Sequence, residues 1–111
     1  MLLIDKDKNI TISYGDLFDV VFSLGGLTIE EGDKLCFSVK KDLEDAETCL
    51  YTENFTVDYE TNKFRITIHS SEMEKLTAGK YLYDIVYISA DNKRTLNFPA
   101  RLTVVRVVHN A

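Results

Sequence analysis

Phe64-Arg65-Ile66-Thr67-Ile68-His69 alternates apolar and polar side chains without a break. A period of two is that of a β-strand with one face buried and one in water. The same pattern recurs upstream, where Leu35, Phe37 and Val39 alternate with Cys36, Ser38 and Lys40. It returns near the end, where Ala100, Leu102 and Val104 alternate with Arg101 and Thr103. Turn chemistry separates further strands: Tyr14-Gly15-Asp16, Gly25-Gly26, Glu30-Glu31-Gly32-Asp33, the acidic stretch 42–47, Asp58 to Asn62 and Ser89 to Lys93. About seven short strands with frequent turns predict an all-β fold, an antiparallel two-sheet β-sandwich of immunoglobulin-like type.

One helical turn is expected near residues 71–77, where Ser71 and Glu74 have capping-box spacing and Met73 and Leu76 would face the core. The strand that follows, Tyr81 to Ile88, is apolar on both faces apart from Asp84. That composition predicts an interior strand of a sheet, or one covered by a partner. Asp84 is then expected to be a structural buried carboxylate, paired with Arg65, Arg94, Arg101 or Arg106 or held by backbone N–H groups. Tyr81, Tyr83 and Tyr87 would line one face, as core with hydroxyls at the edge or as a contact platform for protein or sugar.

The 111 residues suffice for one core, and 45% hydrophobic with 28% charged residues is globular composition. One domain over residues 1–111 is expected, with terminal arms at 1–8 and 105–111. The formal net charge of −5 argues against a nucleic-acid partner, which needs a basic stripe. Residues 1–62 carry 14 acidic and 5 basic side chains, residues 63–111 carry 4 and 8. Such halves either give a dipolar surface suited to head-to-tail association or mix when strands interleave. The apolar runs are far shorter than the roughly 20 residues of a membrane span. Met1-Leu2-Leu3-Ile4, followed at once by Asp5 to Lys8, is too short and too charged for a signal peptide. Cys36 and Cys49 fit a reducing compartment as free thiols better than a disulfide.

Catalytic machinery is not legible. His69 and His109 are the only histidines; His69 and the adjacent Ser70 would point to opposite faces of a strand, and His109 lies three residues from the end. Asp5, Asp7, Asn9 and Asp16 have the spacing of a calcium loop, but Ile10 stands where the loop needs glycine. The residues therefore predict no enzyme, no cofactor and no metal. Leu2, Leu3, Ile4, Val105, Val107 and Val108 lie too near the termini to be needed by one small core, and with Tyr87 they are the candidate interface residues.

Met73 to Ile85, with Asp91 to Leu96 and the Gly32-Asp33-Lys34 to Lys41 stretch, resembles the small β-sandwich proteins of phages of Gram-positive bacteria. Among these is the N-terminal domain family of the baseplate upper protein. Gly15-Asp16 matches the family's opening and Leu76 to Ile85 its central strand, whereas Asn92 and Phe98-Pro99-Ala100 depart from its usual glycines. The resemblance implies a virion structural part of tail, baseplate or head, made in the bacterial host cytoplasm, whose partners are other virion proteins or further copies of itself. Two other functions are compatible with the residues: binding and blocking a host factor, or recognising a carbohydrate or receptor through the tyrosines.

Overall fold

The computed structural model describes residues 1–23, 28–42, 44, 47–89, 92–96 and 99–107. Ten strands and one short helix follow in order: β1 (Leu2–Ile4), β2 (Ile10–Ser13), β3 (Phe18–Ser23), β4 (Lys34–Lys40), β5 (Leu50–Thr52), β6 (Phe55–Asp58), β7 (Lys63–Ile68), α1 (Ser70–Met73), β8 (Gly79–Ser89), β9 (Asn92–Thr95) and β10 (Ala100–Val105). They form two sheets. One runs β1-β2-β10-β8-β4-β5 with β9 also on β8, and the other runs β3-β7-β6. The chain is an all-β sandwich, as the alternation requires.

The core follows from that alternation. Tyr81, Tyr83, Ile85 and Tyr87 of β8, Leu35, Phe37 and Val39 of β4, and Leu102 and Val104 of β10 point inward and are buried. They meet Phe18, Val20 and Phe22 of β3 and Phe64, Ile66 and Ile68 of β7 from the other sheet. Phe37 joins the layers, its ring 5.2 Å from Phe18 across the gap and 5.3 Å from Tyr83 within its own sheet. Each tyrosine hydroxyl ends on an acceptor: Tyr81 on the Thr77 carbonyl at 2.8 Å, Tyr83 on the Lys8 carbonyl and Tyr87 on the Asp33 carboxylate. Buried hydroxyls without such partners would cost about 1–3 kcal/mol each.

Several expectations need correction. Among the described residues there are ten strands rather than about seven, in part because residues 2–4 form a strand and the stretch 49–55 splits. Thr52 pairs with Phe37 in the large sheet, while Phe55 pairs with Ile66 in the small one. Asn54 turns this corner, with its N–H on Thr52 Oγ1 at 2.9 Å and its side-chain amide on the Thr67 carbonyl at 3.2 Å. The sandwich is not wholly antiparallel, since β10 and β2 pair in parallel, Leu102 opposite Ile10 and Val104 opposite Ile12. A parallel pair needs a long crossover, and here nearly the whole chain supplies it. Residues 2–4 are not an arm: they form the edge strand β1, antiparallel to β2.

The capping box also fails to form. Helix α1 has exposed His69 as N-cap, two residues before Ser71, with no side-chain cap hydrogen bond, and Glu74 stands at its C-terminus. Packing holds this segment instead, for Met73 and Leu76 are buried as expected. Two predicted turns do form around acceptor side chains. Asp58 takes the N–H groups of Glu60 and Thr61, and Asp33 Oδ2 takes that of Glu30 at 2.8 Å. Gly25-Gly26, Val108 and His109 lie outside the described residues.

Candidate functional site

Strand β8 lies inside the large sheet, between β4 on one side and β10 and β9 on the other. Its inward residues fill the core, so Leu82, Asp84, Val86 and Ile88 face outward, where all four are half-buried by neighbouring side chains. Asp84 is thus not the paired interior carboxylate that its apolar strand suggests. Its side chain makes no hydrogen bond or ion pair among the described residues. One candidate partner, Arg65, is on the other sheet, where it grips Asp19 through two contacts of 3.0 and 2.9 Å. Thr67 Oγ1 adds a third bond to Asp19 at 3.2 Å.

Register places three different functional groups in one row across the outward face. Ser38 of β4 stands opposite Tyr51 of β5 on one side and Asp84 of β8 on the other. With neighbouring strands about 4.8 Å apart, the Tyr51 and Asp84 backbones are about 10 Å apart. These residues line an open groove of about 410 Å³ together with Lys40, Thr48 and Pro99, over a floor that includes Leu82 and Val86.

Tyr51 is 55% exposed, yet its hydroxyl is fixed. The O–H lies 3.1 Å from both Cys36 Sγ and Glu53 Oε1, and the Cys36 thiol lies 3.7 Å from the same carboxylate oxygen. The hydrogen bond to Cys36, then burial and the Glu53 carboxylate, hold the phenol above its ordinary ionisation range. The ring is therefore neutral and anchored at its far end. Nothing in the sequence singles out Tyr51. Its outward direction follows from buried Leu50 beside it, and Ser38 comes from the preceding strand of its hairpin, but Asp84 comes from a strand far away in the chain.

Cys36 is 5% exposed under this cluster, while Cys49 is exposed, and both are free thiols. The Cys49 N–H bonds the Val39 carbonyl, which sets Cys49 several residues along the ladder from Cys36, beyond disulfide reach.

The other candidates scatter. Tyr87 is 6% exposed and belongs to the core, so its ring is not offered to a partner, and neither are those of Tyr81 and Tyr83. Burial, with Asp5 nearby, pushes the Tyr83 phenol up to about 12. Leu2 packs against the core, Val105 and Val107 are half-buried, and Ile4 and Leu3 are exposed, Leu3 at 59%. His69 lines a separate groove of about 140 Å³ beside Glu72. Asp5 caps its own turn, accepting the N–H groups of Asp7 at 2.8 Å and Asn9 at 2.9 Å. Asp16 meets the amino group of Met1. Among the described residues no three His, Cys, Asp or Glu side chains gather as a metal site, and no helix is long and apolar enough to cross a membrane.

The two halves of the sequence interleave in space, because β2 of the acidic half lies beside β10 and β4 beside β8. Lys34 and Lys40 from the first half share the outward face with Lys80, Lys93 and Arg101 from the second, so the pairing gathers basic side chains of both halves on one face.

The Tyr87–Asp33 bond predicts a pH dependence. The hydroxyl, followed by the Glu30 N–H, lowers the Asp33 pKa, and the same bond raises that of Tyr87. A lowered carboxylate pKa stabilises the fold above the ordinary value near 3.8 and stops doing so as pH falls through the folded value. Asp33→Asn should therefore flatten the acid limb of unfolding free energy against pH, without abolishing it, since Asp5 and Asp58 are lowered too. Urea titrations at several pH values from neutral to below the carboxylate range check this. Parallel acid limbs for variant and wild type would contradict it.

No protein-family model matches the chain, and no curated protein matches it in sequence. Among solved structures, a crystal structure from Bacteroides vulgatus, provisionally named a glycoside hydrolase, is similar with a TM-score of 0.50 and 20% identity. The similarity covers 87% of this chain but 16% of that one. At this identity the likeness concerns the fold alone.

Proposed function

We propose that the chain is a non-enzymatic structural or assembly part of a phage particle, acting through protein–protein contacts. The observation that carries this is β1. It is the edge strand of the large sheet, three residues long, and it presents Leu3 at 59% exposure beside exposed Met1 and Ile4. An edge strand offers unpaired N–H and C=O groups to a further strand, and soluble proteins commonly blunt such edges with charge. Here the side chains are apolar, which suits strand addition by a neighbouring subunit, with main-chain bonds supplying affinity and Leu3 a seat. The likeness of Leu76 to Ile85 to the phage sandwich proteins supplies the biological setting.

Particles purified on a density gradient from cultures of the source organism test it. Peptides of this chain should co-migrate with the particle proteins in fixed proportion. Leu3→Lys should remove the chain from the particles while leaving its melting temperature within a few degrees of wild type, because surface substitutions usually change stability by about 0.5 kcal/mol or less. A chain found only in the soluble fraction would overturn the proposal.

A further inference from the structure

We infer that the groove on the outward face of the large sheet is a saccharide site, built around Tyr51, Ser38 and Asp84 and taking a hexopyranose with equatorial hydroxyls. This is separate from the β1 edge and independent of the assembly role. Three features support it. First, the Tyr51 ring is exposed while its hydroxyl is tethered to Cys36 and Glu53, so the ring is presented without freedom to swing away. A fixed aromatic face loses little entropy on binding. Its π-surface suits the C–H face of a pyranose, which is flat and apolar on both sides when the hydroxyls are equatorial.

Second, the row continues from that ring into hydrogen-bonding groups. Ser38 can donate or accept, and the half-buried Asp84 carboxylate has no side-chain partner among the described residues. A carboxylate accepts two hydroxyl protons, so vicinal sugar hydroxyls satisfy both oxygens, and a charged acceptor makes the stronger bonds. Thr48 and Lys40 line the same groove as further polar groups. Third, about 410 Å³ falls within the range of small-ligand sites, and the apolar floor of Leu82 and Val86 with a few convergent polar groups has their composition. The groove is open along the sheet, so an oligosaccharide can extend beyond the sugar over Tyr51.

One stacking ring and a few hydrogen bonds give a Kd on the order of 1 mM. The probes are cellotriose and N-acetylchitotriose, with α-1,2-mannotriose, whose axial oxygens on C1 and C2 roughen the stacking face, as the contrast. Titration followed by amide chemical shifts in two-dimensional NMR should move Ser38, Thr48, Tyr51 and Asp84 saturably with at least one of the first two and less with the third. Tyr51→Ala should abolish the saturable shift, and Asp84→Asn should weaken it about tenfold, the loss of one charge-assisted hydrogen bond. Both variants should melt near wild type, as neither side chain is in the core. Leu3→Lys should bind as wild type does, so a failure here and a failure of the assembly role can be told apart. Absence of saturable shifts with all three probes would overturn the inference. So would shifts at these residues that appear on concentrating the protein alone, which would give the face to a second copy.

Discussion

Phe37→Ala is expected to lower the free energy of unfolding by about 3–5 kcal/mol, and the melting temperature by more than about 10 °C. The ring is 1% exposed and touches both layers, Phe18 of the small sheet and Tyr83 of the large one. Removing it deletes apolar contact on two sides at once. Neither sheet can collapse onto the space, because ladder bonds fix the spacing between strands and the facing rings fix that between layers. The control lies on the facing sheet: Val21 of β3 is exposed on the outward face of the small sheet, opposite Arg65. Val21→Ala should stay within about 0.5 kcal/mol of wild type. Urea unfolding of both variants checks the pair. Equal losses would mean that Phe37 does not bridge the sheets.

Thr11→Pro is expected to cost about 3 kcal/mol or more. β2 has β1 on one side and β10 on the other, with Thr11 opposite Leu3 and Thr103. Every N–H of an interior strand points at a neighbour, so proline removes a ladder bond whichever way it faces. If residues 1–8 were a free arm, β2 would have an open edge and the same substitution could be absorbed there. Lys6→Pro is the matching control. Lys6 occupies the second position of the turn closed by the Lys8 N–H on the Asp5 carbonyl at 3.1 Å, where proline fits. It should lie within about 1 kcal/mol of wild type. Chemical denaturation midpoints separate the two, and a Thr11→Pro variant as stable as Lys6→Pro would remove β1 from the sheet.

The inward set was legible in the sequence because burial on one face imposes a period of two, which neighbouring residues display by themselves. Phe64, Ile66 and Ile68, or Leu35, Phe37 and Val39, needed no knowledge of their partners. The turns at Asp33 and Asp58 were equally local, each a carboxylate folding back on N–H groups two or three residues away. The same local logic failed at Ser71 and Glu74. There the burial of Met73 and Leu76 fixed the segment without the capping bonds that the spacing suggested.

Which strands become neighbours is not a local property. Ser38 meets Tyr51 through a hairpin but meets Asp84 across 46 positions of chain, and Val104 meets Ile12 across nearly the full length. Alternation assigned Asp84 and Tyr87 to opposite faces of one strand without saying which face the other sheet would cover. The chain by itself thus determined a β-sandwich and the side chains that fill it. The tertiary structure alone decided that β1 is the edge strand beside β2, that β2 and β10 run in parallel, and that Tyr51, Ser38 and Asp84 share an open face. A side chain's direction is set by the pleat of its own strand, whereas its company is set by contacts that only the packed sheets bring together.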